Sequence, residues 1–312
     1  MSRHPEAAQV LVDFVPTAEY FVGIDSDGCA MDAMDIKHQE CFTPAYIKAW
    51  DLQPISTLAR ETALFVNLGS VTRGLNRWLA LKQVLDLLRD RVEVAERGVR
   101  IPEYPELSEF LADPGYPLSD RGIAAYAQDH PSETIDRAIR WGNDVNARIA
   151  DMVHGCGPFP GVREAISAMD GRVDQMVVSA TPLHALEKEW TEHGLAPSMK
   201  VIAGQEMGSK ADHVTYAAQG KYDDDKMLLI GDAPGDRDAA AKVGCLYYPI
   251  LPGEEKRSWV RFKEEALGRF LDGSYAGEYQ QGLIAEFNAK LPGEVPWETI
   301  SGTRTVRMPQ VK

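Results

Sequence analysis

The chain has 312 residues, of which 44% are hydrophobic and 26% charged, the proportions of an ordinary globular protein. A formal net charge of −14 argues against a nucleic-acid or acidic-membrane partner, because a surface of that sign repels phosphate backbones and anionic headgroups. No apolar run approaches the roughly 20 residues of a membrane-spanning helix, and the opening MSRHPEAAQVLVDFVP lacks the basic-then-apolar pattern of a secretory signal, so a cytoplasmic protein is expected.

This length suggests about two domains. The first strand is predicted at 20–25 (YFVGID). A largely helical stretch follows, with segments at 43–50, 55–65, 74–90, 105–112, 119–128 and 132–152. In 74–90, Leu75, Trp78, Leu79, Val84, Leu85 and Leu88 recur at three- and four-residue spacing, the mark of a helix with one buried face. HGCGPFPGV (154–162), rich in Gly and Pro, reads as a linker. Four more strands are predicted at 173–179, 199–203, 226–231 and 244–250, separated by helices at 183–193, 209–219 and 235–242. All five strand runs are almost continuously apolar, as in a parallel sheet covered on both faces. Strand–helix alternation then implies an α/β fold, a Rossmann-like doubly wound parallel sheet. The domain expectation is a discontinuous core (1–35 and 158–252) with an α-helical cap (36–157) inserted after the first strand. Residues 253–312, with helical pieces at 258–271 and 276–289, would pack on the core or on a partner subunit. They carry no chemical signal.

The four cysteines, Cys29, Cys41, Cys156 and Cys245, form no CxxC pair and read as free thiols in a reducing compartment. The chemical signal is acidic. GIDSDG places Asp25 and Asp27 at the end of the first strand. VVSATP places Ser179 at the end of the second, GQEMGSKADH sets Lys210 at a helix start, and LIGDAPGD brings Asp232 and Asp236 to the end of the fourth. Each stands at or just past a strand's carboxyl end, the edge where open α/β sheets bind ligands. Converging carboxylates are tolerable beside a divalent cation, and an oxygen-rich site without a His or Cys cluster suits Mg²⁺. The matching chemistry is phosphoryl transfer. Asp25 would attack phosphorus and form an aspartyl-phosphate. Asp27 would protonate the leaving oxygen and later deprotonate water. Ser179 would bind a phosphoryl oxygen, with Thr181 as its rival. Lys210 would pair with the phosphate and with Asp25, Asp232 would hold the metal, and Asp236 would support the metal's water or Lys210.

These motifs, in this order, resemble those of the haloacid dehalogenase superfamily, with GIDSDG, VVSATP, GSKADH and IGDAPGD as its four motifs over about 140 residues. PFPGVREAISAM is similar to the helix after an inserted cap. One departure is Cys29, where many members carry Thr or Val. The resemblance implies a metal set of Asp25, the Asp27 backbone carbonyl, Asp232 and, directly or through water, Asp236. Because Asp27 is present, it implies a phosphomonoester hydrolase acting on a small phosphorylated metabolite rather than a dehalogenase or a phosphonate-cleaving enzyme. A sugar-phosphate mutase is the alternative. Homo-oligomerisation stays open.

In the cap, Lys37 and His38 follow the first motif closely, and Arg73 and Arg77 stand beside a glycine turn and a helix start. Each has two readings: substrate specificity, or ordinary packing and solvation. Trp50, Trp78 and Trp141 read as core packing.

Overall fold

A computed structural model describes residues 4–308. It contains a five-stranded sheet of β1 (Tyr20–Ile24), β2 (Val173–Val178), β3 (Val201–Ala203), β4 (Met227–Gly231) and β5 (Leu246–Pro249). The order is β3-β2-β1-β4-β5, and every neighbouring pair is parallel. All residues of β2 and β4 are buried, which is why their sequences run apolar without alternating. Asp174 and Gln175 are the buried polar exceptions in β2. Asp174 accepts hydrogen bonds from Thr17 N, Ala18 N and the Tyr222 hydroxyl at 2.7–2.8 Å, so its charge is satisfied where it is buried. The five strands fall where expected, each one to three residues shorter.

Register sets the site. Ile24 is paired with Val177 on one side and Ile230 on the other. The next residues therefore emerge together: Asp25, Ser179 and Asp232 lie within two positions of the last ladder rung. Asp25 N still donates to Ile230 O at 3.0 Å, and Ser179 N to Ala203 O at 3.1 Å. Connections leave β1 toward β2 on one side and reach β4 on the other, so the carboxyl ends of β1 and β4 flank the switch in strand order, where such sheets open a crevice.

The chain forms two compact units, Met1–Met34 with Cys156–Lys290 and Asp35–Gly155 with Leu291–Lys312. The first holds the sheet and helices α1 (Val162–Met169), α2 (Leu183–Glu192), α3 (Lys210–Ala217), α4 (Pro234–Val243), α5 (Glu255–Arg261) and α6 (Glu278–Lys290). Within it the outgoing and returning segments are paired. Met31 bridges Pro158, Phe159 N donates to Ala30 O at 2.9 Å, and Asp32 N to Gly157 O at 3.0 Å.

The second unit is helical. Ser56–Asn67, Arg77–Asp90 and Glu133–Met152 are its longest helices. Asn76 caps the second by accepting from Trp78 N at 3.0 Å, which starts that helix three residues later than the apolar period alone suggests. Trp78 and Trp141 meet edge to face at 5.5 Å in the centre of its core.

One expectation is corrected here. Residues 253–312 do not all go to the sheet-bearing unit or to a partner: 255–290 do, but 291–308 are a strap on the helical unit. Val92 N donates to Glu298 O at 3.1 Å and Ile300 N to Asp90 O at 2.7 Å. The Arg91 guanidinium lies 4.5 Å from the Trp297 ring centre and pairs with Glu61 and Glu93 at 2.7 and 2.8 Å. Val295, Trp297 and Val306 pack together against Phe65 and Leu87. Short apolar residues spread through a Pro/Gly-rich tail have no period to reveal this.

Candidate active site

β1 delivers Asp25 to the sheet's carboxyl edge, and β4 delivers Asp232 beside it. Asp236 comes from the first turn of α4, where its Oδ2 accepts from Ala233 N at 3.0 Å. Pro234 at the helix start has no N–H to leave unpaired. Asp25, Asp232 and Asp236 each offer a carboxylate oxygen within 4.8 Å of the other two, and all three are buried. Gly231 makes this possible: a Cβ there would fall 2.3 Å from Asp236 Cγ, so any other residue would expel the carboxylate.

Lys210 opens α3, behind the N-cap Ser209. Its Nζ donates to Asp25 Oδ2 at 2.8 Å and to Asp236 Oδ1 at 2.5 Å. Burial pushes the Asp25 carboxyl well above the usual range. The Lys210 ammonium opposes that push, and Asp236 and Asp232 add to it. Burial alone would lower Lys210, but the carboxylates of Asp236 and Asp25 outweigh it and hold the ammonium charged. Three acids and one base share this buried place, where a charge costs several kcal/mol, on the order of the desolvation penalty, unless it is compensated. Such an oxygen-only donor set fits a hard divalent cation.

Asp27 rides on the turn after β1 and is half-buried. Gly28 adopts φ of 78°, a left-handed conformation that glycine takes without strain. Thr181 Oγ1 donates to Asp27 Oδ2 at 2.9 Å, while Thr181 N donates to Ser179 Oγ at 3.2 Å. Thr181, weighed from the sequence only as a substitute for Ser179, is thus the partner of Asp27. Its signal was a second hydroxyl two residues past Ser179. Ser179 is buried, and its hydroxyl proton remains available to an acceptor at the edge. Cys29 is buried within the same turn, and burial pushes its thiol well up, which makes it an inert packing residue.

The four cap residues named from the sequence belong to the helical unit. Lys37 and His38 lie in a π-helical segment, Lys37–Phe42, where the His38 ring stacks on Phe42 at 4.7 Å. Arg73 is buried and donates to Leu68 O at 3.1 Å. Arg77 donates to Asn146 Oδ1 at 2.7 Å and lies 5.2 Å from the Phe42 ring centre.

Fold and site together define an α/β protein with a buried, oxygen-only acidic centre at its switch point. No protein-family profile matches the chain, and no curated protein matches it. Among solved structures it is similar to a haloacid dehalogenase-like family hydrolase from Streptococcus pneumoniae, at 14% identity and TM-score 0.42, covering 78% of this chain and 92% of that one. It is also similar to a candidate phosphoglycolate phosphatase from Lactobacillus delbrueckii subsp. bulgaricus, at 14% identity and TM-score 0.47 over 84% of this chain and 100% of that one. A third is a haloacid dehalogenase-like family hydrolase from Xanthomonas campestris, at 15% identity and TM-score 0.39 over 76% and 84%. Likeness of this degree carries neither an activity nor a substrate.

Proposed function

We propose that the protein is a Mg²⁺-dependent phosphomonoester hydrolase of the haloacid dehalogenase type, acting on a small phosphorylated metabolite through an aspartyl-phosphate. The observation that carries this reading is the buried contact of Asp25 with Lys210, inside a cluster completed by Asp232 and Asp236. Such an arrangement aims one carboxylate outward from a strand end while charge of both signs holds it in place.

Asp25, Asp232, Asp236 and the Asp27 carbonyl would hold the metal, which when bound offsets the repulsion between these carboxylates and an incoming phosphoryl group. Lys210 occupies Asp25 Oδ2, leaving Oδ1 as the attacking atom. Ser179 donates its hydroxyl proton to a phosphoryl oxygen. As the P–O(ester) bond breaks, Asp27 gives its proton to the departing alkoxide, and the alcohol leaves. Asp27, now a carboxylate, takes a proton from water as that water attacks phosphorus. The Asp25–phosphorus bond breaks, and inorganic phosphate and free Asp25 are regenerated. The hydrogen bond from Thr181 keeps the Asp27 carboxyl in one orientation through both proton transfers. Most of the acceleration is positioning and electrostatics, as phosphoryl transfer requires.

The test is phosphate release across a broad panel of phosphorylated metabolites, with Mg²⁺ and with chelator. Turnover should depend on Mg²⁺ and should be abolished by Asp25→Asn. Near-normal activity in Asp25→Asn excludes the covalent route. An isomerised phosphate ester in place of free phosphate would identify a mutase.

A further inference from the structure

The chain has six tryptophans. Each indole carries a single N–H donor, and leaving it unpaired when buried is costly, so its partner is informative. Among the described residues, Trp50, Trp78, Trp141 and Trp297, all in the helical unit, find no acceptor. The two in the sheet-bearing unit donate to the same short turn. Trp190 Nε1 donates to Ser26 Oγ at 2.9 Å, and Trp259 Nε1 donates to Cys29 O at 2.9 Å. All four residues are 0% exposed. Ser26 in turn donates to Glu189 Oε2 at 3.2 Å. Trp190 and Glu189 lie on α2, and Trp259 lies on α5, in the C-terminal extension to which the sequence assigns no chemical part.

That turn carries Asp27. It is closed internally: Ser26 O accepts from Ala30 N and Met31 N at 2.9 and 2.8 Å, and Gly28 N donates to Met31 O at 2.9 Å. These bonds fix the turn's shape but not its attitude toward Asp25. Bonds from outside do that: beside Thr181 Oγ1 to Asp27 Oδ2 and Phe159 N to Ala30 O, the indoles supply two, immediately before Asp27 and two residues after it. Gly161, at the head of α1, lets Trp259 in: a Cβ there would meet Trp259 Cβ at 3.1 Å, at a φ of 99° that itself favours glycine.

We infer that Trp190 and Trp259 are positioning residues that clamp the Ser26–Cys29 turn and so hold Asp27 at the distance from which it protonates the leaving group. This rests on the phosphomonoesterase reading above. The C-terminal helix α5 thereby becomes part of the apparatus that positions the catalytic acid. A loosened clamp would misplace the proton donor while leaving the Asp25–Lys210–Asp232 cluster intact. The loss would then fall on esters whose leaving group needs a proton and spare those whose leaving group does not.

The experiment compares kcat/KM for 4-nitrophenyl phosphate and phenyl phosphate in the wild type, Trp259→Phe, Trp190→Phe and Ser26→Ala, with Mg²⁺, below each protein's unfolding temperature. These esters differ little in size but strongly in leaving-group basicity. The phenylalanine variants keep most of the packing and delete the donor. The expected result is a loss on phenyl phosphate about tenfold or more greater than on 4-nitrophenyl phosphate. An equal loss on both, or none, overturns the clamp and leaves the indoles as packing. Should a tryptophan variant not fold, Ser26→Ala, which removes only one hydroxyl, carries the same comparison. If the wild type cleaves neither these esters nor any member of the metabolite panel, the phosphomonoesterase reading falls first, and the clamp falls with it.

Discussion

Thr181 reaches across from the end of β2 to donate its hydroxyl proton to Asp27 Oδ2 at 2.9 Å, joining residues 154 positions apart. Its backbone N–H holds Ser179 Oγ at the same time, so one residue orients two of the groups assigned to the reaction. Thr181→Val, nearly isosteric, should lower kcat about tenfold with little change in KM, while Thr181→Ser should stay close to wild type. Steady-state kinetics of the pair checks this. A valine variant with full activity would remove Thr181 from the mechanism.

The acidic cluster should report metal directly, without turnover. A cation that binds only the folded protein stabilises it by about 2.7 kcal/mol at a hundredfold excess over its dissociation constant. Mg²⁺ should therefore raise the melting temperature of the wild type by several degrees, and Asp232→Asn should lose that shift. Equal shifts in both proteins would place the ion elsewhere.

Gly231→Ala should inactivate the protein through a neighbour. The added methyl would sit within 2.4 Å of Asp236 Cβ, Cγ and Oδ2, so Asp236 must swing away from Lys210. Activity should fall by about a hundredfold, with about 1–3 kcal/mol lost in stability from overpacking. Urea unfolding and phosphate release measure the two effects separately.

His213 predicts an acid weakness. It is buried in α3, and burial lowers its pKa from 6.5 to about 4, with the Gly204 and Gly208 backbone opposing and the Lys210 charge adding to the drop. Below about pH 6.5 the unfolded chain takes up a proton that the folded chain refuses until about pH 4. The stability associated with neutral His213 is therefore fully present above pH 6.5 and is lost as pH falls through that window, by up to about 3 kcal/mol. His213→Gln should show a shallower decline in urea-derived stability between those pH values. Parallel curves would contradict it.

The strap's main anchor is Trp297, edge to face with Phe65 at 5.3 Å and under the Arg91 guanidinium. Trp297→Ala should cost about 3 kcal/mol or more. Urea denaturation followed by circular dichroism should find the loss.

Much of the core was legible in the chain itself. A strand buried on both faces must be apolar along its length, and its polar successors must lie at its ends. YFVGI followed by Asp25, and MLLIG followed by Asp232, therefore announced both the sheet and the edge where acids gather. The glycine before Asp232 was visible too, although only the folded structure shows that its missing Cβ makes room for Asp236. What folding alone decided are the pairings between distant segments: Thr181 with Asp27, Trp259 with Cys29, the 291–308 strap with Asp90 and Arg91, and the burial of Arg73. Each is a contact between single side chains or short backbone pieces far apart in sequence. Periodicity records only which face of an element is buried, and it is silent about which residue will stand opposite once the chain has closed on itself.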